Sequence, residues 1–332
     1  TSLNGGQLAG NRNRIINGGM QIDQRYAGAS NVVTGTSNQL DRFDASNSAG
    51  GTMTFVQSTL GNAKSFKFTA TSGVTSLTAS NGVFVSQKLE GQNVFDLNGQ
   101  EITISFKVQT NWAGNLPIAV RNSNSSRSYV VDAAVVSGTN DVSVTLTLEA
   151  ASVITNDNAL GIRVFIGANN EADVRTGTTG SWIAGSYRVS TSSTQWASTT
   201  SNYINITGVQ LELGAVATPF EHRSYGTELA LCQRYFSTSF PAAVGASTSS
   251  GRIYLGLGWE GTSRNKGGTI FYPQSMRAIP TVTVYNEAGG TGNFSNPPVA
   301  ANQILGSQNS IILYANTTST EMYLHYTASA EL

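Results

Sequence analysis

The feature that most constrains the fold is the alternation of apolar and polar residues in short runs along most of the chain. In Ile102–Val108 and Val142–Leu148 every second residue is apolar, and the residues between them are Thr, Ser or Lys. A period of two with one polar face is typical of a half-buried antiparallel strand. Phe66–Phe68 and Ile162–Ile166 repeat the pattern, and pairs such as Asn98-Gly99 supply turns. Because no long amphipathic helix interrupts these runs, the sequence predicts an all-β fold of antiparallel sandwich or jelly-roll type.

One predicted strand changes phase along its length. Ile204 and Ile206 occupy even positions, whereas Val209 and Leu211 occupy odd ones. A strand that keeps a single buried face must hold an extra residue where the phase changes. The sequence therefore predicts a β-bulge near Thr207-Gly208.

Charge is scarce and balanced. The chain has 19 Lys and Arg, 19 Asp and Glu, and only 11% charged residues among its 332. Nucleic-acid binding requires clustered Lys and Arg, and here these residues stand singly among Ser, Thr, Asn and Gly. We therefore expect no nucleic-acid partner.

The sequence indicates neither a disulfide framework nor a targeting signal. Cys232 is the single cysteine, so no intrachain disulfide can form. No run approaches the ~20 apolar residues of a membrane span. The first residues lack the charged and apolar regions of a signal peptide. We expect neither membrane insertion nor export by a secretion pathway.

The strand runs and their interruptions predict four segments. Residues 1–19, rich in Gly, Asn and Gln, form an extended attachment segment or a disordered tail. Residues 20–222 form a jelly-roll domain, residues 223–236 a short helical connector, and residues 237–332 a second, smaller β-sandwich.

The connector is predicted to be apolar on two faces. Side chains three, four or seven residues apart lie on the same face of a helix, and at this spacing the apolar residues of the connector form two separate faces. A helix of this kind needs two partners, so we predict that it forms a neck in contact with other copies of the chain. The alternative is a connector buried between two domains of one chain. The predicted contact residues are Leu229, Cys232 and Phe236 on one face and Leu231 and Tyr235 on the other.

The residues suited to catalysis are few, and we expect no enzyme activity. His222 and His325 are the two histidines, and Cys232 lies on an apolar face of the predicted helix. The His and Cys residues lack the spacing of a zinc site. A structural calcium ion requires only oxygen ligands, and Asp41 with Asp44, or Asp23, are the carboxylates to consider. The alternative is that these carboxylates are solvated loop residues.

Aromatic side chains are the remaining candidates for ligand contact. Trp112 and Trp182 lie beside Gly, Asn or Ser, and we predict that they stack on sugar rings. The alternative is that they plug an end of the sandwich. Trp259 continues the alternating series from Ile253 and is predicted to be a core residue. The other aromatic residues considered for stacking are Trp196, Tyr187, Tyr254 and Tyr272.

Several stretches resemble bacteriophage proteins. They are NRIINGGMQIDQRY (Asn13–Tyr26), QLELGAVATPFEHRSYGTELALCQRYF (Gln210–Phe236), SMRAIPTVTVY (Ser275–Tyr285) and LHYTASAEL (Leu324–Leu332). The chain is similar in these stretches to phage tail fibre and other virion surface fibre proteins with β-sandwich domains like carbohydrate-binding modules.

The resemblance implies a virion structural protein, most simply a tail fibre that attaches to a host-cell surface polysaccharide without catalysis. It further implies a homotrimer, an N-terminal segment that contacts other virion proteins, and synthesis in the host cytoplasm. A capsid-decorating or head-fibre protein with a mechanical role is one alternative, and a polysaccharide-degrading spike is another. The low charge predicts binding with little dependence on salt.

Overall fold

In the computed structural model, the chain forms two compact units. The described residues are 12–74, 82–150, 153–170, 175–240, 252–256, 264–286, 288–291, 293–294, 299–300, 303–317 and 321–332. The first unit consists of the chain up to Gln21, Gly28–Ser224 and Leu332. The second consists of Ile22–Ala27 and Tyr225–Glu331. Residues 1–11 of the predicted attachment segment lie outside the described residues, so the role of that segment stays a prediction.

The first unit is built almost entirely from strands. Its α-helix is α1 (Gly91–Val94), and Phe95–Leu97 and Trp196–Ser198 form 3₁₀ turns. The strands are β1 (Asn31–Val33), β2 (Gly35–Leu40), β3 (Phe43–Asn47), β4 (Thr52–Leu60), β5 (Ala63–Ser72), β6 (Gly82–Glu90), β7 (Glu101–Thr110), β8 (Gly114–Asn122), β9 (Arg127–Val135), β10 (Gly138–Thr147), β11 (Leu160–Asn170), β12 (Arg175–Thr176), β13 (Trp182–Ala184), β14 (Val189–Ser190) and β15 (Tyr203–Leu213).

Two antiparallel sheets contain most of these strands. The six-stranded sheet has the order β1-β4-β5-β15-β7-β10, and the seven-stranded sheet has the order β13-β9-β8-β11-β6-β3-β2. Strands β12 and β14 form a short parallel pair. The runs with a period of two are strands, as the sequence predicts, and the all-β antiparallel fold is confirmed.

The core of the first unit lies between the facing sides of the two sheets. Phe66 and Phe68 of β5 pack there with residues of the seven-stranded sheet such as Val164 of β11. Phe66 stacks on Phe55 with ring centroids 5.2 Å apart. Because alternate residues on each strand enter this one cluster, their burial fixes the register of both sheets.

The predicted bulge in β15 is confirmed. The register between β15 and β7 shifts between Thr207 and Gln210, and Gly208 has a φ of +65°. Such a shift removes backbone groups from the ladder, and these groups need other partners. The N-H of Val209 donates to the carbonyl of Gly18 at 2.9 Å, and the carbonyl of Val209 accepts from Nδ2 of Asn13 at 3.0 Å.

The segment that satisfies the bulge belongs to the NRIINGGM stretch, and we call residues 12–18 together with Val209–Arg223 the N-terminal clasp. Oδ1 of Asn13 accepts from the N-H groups of Ile15 at 2.9 Å and Leu211 at 3.0 Å. Gly18 lies so close to β15 that a Cβ there would be 2.0 Å from the carbonyl oxygen of Val209. Two of the stretches that carry the phage resemblance are therefore joined by hydrogen bonds in one unit.

Charges in the clasp are paired. Arg12 lies 3.3 Å from the carboxylate of Glu212, and Arg223 lies 3.5 Å from that of Glu221. Glu221 also accepts from the backbone N-H groups of Arg12 at 3.1 Å and Asn13 at 2.9 Å. Burial raises the pKa of Glu221, but these hydrogen bonds and the nearby arginines outweigh it, so the net shift of the pKa is downward.

The second unit is a smaller antiparallel assembly. Its helix is α2 (Tyr225–Gln233). Its strands are β16 (Phe236–Thr238), β17 (Ile253–Gly256), β18 (Arg264–Phe271), β19 (Thr281–Tyr285), β20 (Asn293–Phe294), β21 (Val299–Ala300), β22 (Gln303–Gly306), β23 (Ser310–Thr317) and β24 (Glu321–Ser329).

Strand β24 is the centre of the second unit. It pairs with β16 and β17, and also with β19, while β18, β23 and β22 form a separate sheet. Side chains of both sheets, including Ile311 of β23 and Leu324 of β24, share one core. The N-terminal residues Ile22–Ala27 belong to this unit, because Gln24 donates to the carbonyl of Phe236 at 3.0 Å and Arg25 pairs with Glu331 at 2.8 Å.

The predicted contact residues of α2 lie largely inside the chain. Cys232 and Tyr235 are fully buried, and Phe236 is buried beneath the guanidinium of Arg25, 3.7 Å from the ring centroid. A second copy of the chain therefore has no access to these three side chains, which corrects the prediction that they form an oligomer contact. Leu229 and Leu231 are half-buried, and for them the prediction stays a prediction. Over the described part of the chain, no helix has the length and apolar content needed to span a membrane.

Candidate functional site

Trp112 is not an exposed platform for a sugar ring. Its side chain is only 8% exposed and belongs to the core of the first unit. The indole Nε1 donates to the carbonyl of Tyr203 at 3.0 Å, and the ring stacks on Trp196 with centroids 6.3 Å apart. The prediction of a ligand contact is wrong for Trp112, because the residue plugs the sandwich and has no free ring face.

Trp182 lies on an edge strand and is half-buried. Its Nε1 donates to the carbonyl of Thr147 at 2.8 Å, and its ring contacts Tyr129 edge to face. The ligand role of Trp182 stays a prediction. Tyr254 is exposed, Trp196 and Tyr272 are buried, and Trp259 lies outside the described residues.

A different set of side chains comes together on the outer face of the seven-stranded sheet. Strand β11 lies between β6 and β8, so its outward side chains have neighbours on both sides. Phe165 and Arg163 of β11 are outward, since Ile162, Val164 and Ile166 face the core. Arg163 is directly opposite Arg121 of β8.

Two phenylalanine rings carry the guanidinium groups of three arginines, and we call these five residues the arginine cluster. The rings of Phe84 and Phe165 meet edge to face with centroids 5.3 Å apart. The Cζ of Arg121 lies 4.8 Å from the centroid of Phe165, and that of Arg188 lies 4.8 Å from the centroid of Phe84. The Cζ of Arg163 lies 4.6 Å from Phe165 and 5.2 Å from Phe84. Both rings are almost completely buried and Arg121 is only 6% exposed, so the accessible chemistry of the cluster is mainly that of Arg163 and Arg188, which are half-buried.

The segment before β14 brings Arg188 to this face. Ser128 of β9 donates through its hydroxyl to the carbonyl of Gly185 at 2.6 Å and accepts from the N-H of Tyr187 at 2.9 Å. Arg121 donates from Nε to the carbonyl of Tyr187 at 3.0 Å and from Nη2 to that of Ser186. Asp132 of β9 then accepts hydrogen bonds from the hydroxyl groups of Ser190, Ser192 and Ser193. These bonds fix the path of the segment across the sheet.

The three arginines differ in how their charges are compensated. Arg163 pairs with Asp44 at 2.6 Å and donates to the hydroxyl of Ser86 at 3.0 Å. Burial, followed by the charges of Arg188 and Arg163, lowers the pKa of Arg121 to about 9. Burial, followed by the charge of Arg163, lowers the pKa of Arg188 to about 10. Both groups carry their charge at neutral pH, in an environment that disfavours it.

The carboxylates considered for calcium lie in different surroundings and do not share a site. Asp44 is the partner of Arg163 and also accepts from Ser86. Asp41 is buried near the turn after β2, and Asp23 accepts from the N-H of Tyr26 in the second unit. Within the described residues, no three His, Cys, Asp or Glu side chains are grouped closely enough to hold a metal ion. A calcium site stays an untested prediction.

The arrangement is suited to binding. Guanidinium groups donate hydrogen bonds in a fixed planar fork and remain protonated, so they act as donors and not as proton acceptors. The carboxylate of Asp44 is already paired with Arg163. His222 lies against Phe220, and His325 is buried beside Phe240 in the second unit. The cluster therefore offers positive charge and donors without a free general base of its own.

Sequence reasoning missed all five residues of the cluster by treating the strands as polar on their outer faces. The available signal was an aromatic residue on the face expected to be polar, at Phe84 and at Phe165. Arginine residues within otherwise apolar strands, at Arg121 and Arg163, were a second signal. Tyr187, which was considered as a stacking residue, packs against this apolar group and is half-buried.

The comparisons with known proteins come from solved structures. The chain matches no family model, and no curated protein matches it significantly. It is similar to a family 11 carbohydrate-binding module from Clostridium thermocellum, solved with a β-1,3-1,4-mixed-linked tetrasaccharide, at 10% identity and a TM-score of 0.31 over 57% of this chain and 98% of that chain.

Two further structures are similar to the chain. One contains the CBM22-1 and GH10 modules of the Clostridium thermocellum endo-1,4-β-D-xylanase 10B with xylohexaose, at 14% identity and a TM-score of 0.31 over 58% of this chain and 30% of that chain. The other is TmCBM61 with β-1,4-galactotriose, at 12% identity and a TM-score of 0.28 over 61% of this chain and 99% of that chain. These values are low, so the two-sheet architecture rests on the strand pairing itself, and the bound ligands are properties of those proteins.

Proposed function

We propose that the protein binds a carbohydrate of a bacterial cell surface without catalysis, through the outer face of the seven-stranded sheet, as a structural component of a phage virion. The observation that carries the binding is the arginine cluster. The outer face holds three guanidinium groups side by side, and Arg121 and Arg188 of these lack a carboxylate partner among the described residues.

The geometry favours a polar ligand over an apolar one. The rings of Phe84 and Phe165 lie beneath the guanidinium groups and are not exposed, so they hold the arginines in place. A planar guanidinium with several N-H donors binds the oxygen atoms of a polyhydroxylated ligand well. The exposed residue Ser192, in the segment that also carries Arg188, adds a hydroxyl group to this polar surface.

The virion setting is supported by the phage-like stretches of the sequence. The sequence QLELGAVATPFEHR and the sequence NRIINGGM contribute to one hydrogen-bonded structure in the first unit, the N-terminal clasp. Within this proposal the chain is a tail fibre, the fibre is a trimer, and residues near the N-terminus contact other virion proteins.

The test is saturable binding of the purified full chain to a panel of bacterial surface polysaccharides and to whole cells. We expect binding by the wild-type protein, a loss of at least tenfold in affinity for Arg188→Gln, and no release of reducing ends from the bound polysaccharide. Lys64→Gln is the matched control, because Lys64 is exposed on the six-stranded sheet and its substitution also removes one positive charge.

Two outcomes would overturn the proposal. Binding to no carbohydrate by a folded protein would favour a mechanical role on the particle, as in a capsid-decorating protein. An equal loss of binding in Arg188→Gln and Lys64→Gln would show that the cluster is not the binding surface.

A further inference from the structure

We propose that the arginine cluster receives an oxyanion carried on a sugar, so that the ligand is an acidic glycan. This inference rests on the proposed carbohydrate binding and adds the chemical class of the ligand. The balanced charge of the chain as a whole gives no hint of it, because the three arginines are far apart in sequence and meet only in the folded sheet.

The first observation is a row of like charges across three neighbouring strands. Arg163 of β11 is directly opposite Lys88 of β6 on one side and Arg121 of β8 on the other. Neighbouring strands lie about 4.8 Å apart, and like charges directly opposite one another destabilise a sheet. Because the row lowers the stability of the free protein, we infer that it contributes to the protein when an anion is bound.

The second observation is that the described residues place few carboxylates around this row, in which Lys88 donates to an oxygen atom of Leu332. Asp44 compensates Arg163. The hydrogen bonds of Arg121 go to backbone carbonyl groups, which are neutral. Asp132, on the neighbouring β9, is engaged by serine hydroxyl groups. Counted over the described residues, the cluster therefore has a net positive charge.

The third observation is a buried donor without an acceptor. Nε of Arg188 is buried and has no hydrogen-bond partner among the described residues. Leaving a buried donor unsatisfied costs about 1 to 3 kcal/mol, and a charged donor costs more. An arriving acceptor with negative charge would satisfy this N-H group and lessen the repulsion between Arg188 and Arg163.

The chemistry of the cluster selects the kind of acceptor. A guanidinium presents two parallel N-H groups that match the two oxygen atoms of a carboxylate or two oxygen atoms of a phosphate. The hydroxyl groups of a neutral sugar supply an acceptor but no charge. The acidic group of a uronic acid or of a sugar phosphate supplies both.

The experiment follows the Nε-Hε signals of the arginines by ¹⁵N NMR on the full chain. Sodium glucuronate, glucose 6-phosphate, glucose and sodium chloride are added separately at matched ionic strength. Arg188→Gln identifies the signal of Arg188 by its loss. We expect glucuronate, glucose 6-phosphate or both to shift the signals of Arg188 and Arg121 in a saturable manner at millimolar concentration, whereas glucose and chloride leave them unchanged.

The two acidic probes distinguish the sources of the charge. A response to glucuronate indicates a carboxylated glycan, and a response to glucose 6-phosphate indicates a phosphorylated one. In Arg188→Gln the affinity read from the Arg121 signal should fall at least tenfold, and Arg188→Lys, which keeps the charge but not the planar fork, should lie between. Lys64→Gln should match the wild type.

The inference is overturned if no acidic probe shifts the signals, or if glucose or chloride shifts them equally. Failure of the inference and failure of the proposed function are distinguishable. A chain that binds a neutral polysaccharide through Arg188 while ignoring the acidic probes keeps the function and loses the inference. A chain that binds no polysaccharide loses the proposed function itself.

Discussion

The N-terminal clasp and the arginine cluster are both polar structures of the first unit, and they differ in how many of their arginines pair with a carboxylate. In the clasp, Arg12 has Glu212 and Arg223 has Glu221 as its partner. In the cluster, Arg163 is the one arginine of three that pairs with a carboxylate among the described residues. The clasp also satisfies the backbone groups that the bulge removes from the ladder.

We infer from this difference that the polar groups of the clasp stabilise the fold, whereas those of the cluster are suited to binding a ligand. A buried network with every charge paired stabilises the structure that contains it, and removing one member leaves the others unsatisfied. A group of like charges makes the opposite contribution, since the free protein bears a cost that only a bound anion removes. Substitutions in the two regions should therefore change stability and binding in different proportions.

The largest loss of stability is expected for Gly18→Ala in the clasp. The added Cβ would be 2.0 Å from the carbonyl oxygen of Val209, which is backbone and cannot rotate away. We expect the free energy of unfolding to fall by about 3 kcal/mol, measured by chemical denaturation. Gly177→Ala is the control, since its Cβ would meet no atom within 4 Å, and it should change stability by less than about 0.5 kcal/mol. Equal stability of the two variants would mean that residues 12–18 do not pack as described.

Arg163→Gln should show that the paired arginine of the cluster behaves like a clasp residue. The substitution leaves the carboxylate of Asp44, with 7% of its side chain exposed, without its cation. We expect a loss of about 2 kcal/mol in the free energy of unfolding, since an unpaired buried charge is costly. The double substitution Arg163→Gln with Asp44→Asn should recover part of this loss. No recovery would mean that the pair contributes little.

A smaller effect is expected from acid acting on the clasp. The net downward shift of the pKa of Glu221 means that its ionised form stabilises the folded state. This contribution is complete above the ordinary pKa of 4.5 and is lost as the pH falls below that value through the folded pKa. Between pH 6 and pH 3, Glu221→Gln should therefore lose less stability than the wild type. Parallel curves of stability against pH would contradict this assignment.

The smallest change in stability is expected for Arg188→Gln. The substitution removes a charge that is repelled by Arg163 and that pairs with no carboxylate among the described residues. It also removes a contact with the ring of Phe84. We expect the free energy of unfolding to stay within about 0.5 kcal/mol of the wild type or to rise, while ligand binding falls. A large loss of stability would show that Arg188 stabilises the fold, as the residues of the clasp do, and would contradict the proposed difference between the two regions.

The strand pattern could be predicted from the sequence because it depends on one buried face. The phase change between Ile206 and Val209 indicated the bulge for the same reason, and the bulge lies at the predicted residues. Its partners could not be predicted, since Asn13 and Gly18 are nearly the whole first unit away along the chain.

The candidate site was beyond sequence reasoning because it depends on which strands are neighbours. Period two places Arg121 and Arg163 on outer faces, but only the order β8-β11-β6 makes Arg163 the opposite residue of Arg121. The prediction that Trp112 is an exposed stacking residue was wrong for a related reason. Its neighbours Asn111 and Gly114 suggest an exposed loop, whereas its ring is covered by Trp196, a residue distant in sequence. Low salt dependence was predicted because few residues are charged and they stand singly in the sequence. The three arginines that meet in the cluster instead predict that binding weakens as the salt concentration increases.

The position of β15 has a consequence for how the protein reaches its native state. This strand is the last of the first unit in the chain, yet it lies between β5 and β7 in the middle of the six-stranded sheet. During synthesis the edges of β5 and β7 stay unpaired until Leu213 has left the ribosome, and contacts of such long sequence separation form slowly. Exposed strand edges favour association between nascent chains. Slow, late closure of this sheet is therefore the step at which expression temperature and chaperone supply should decide the yield of folded protein.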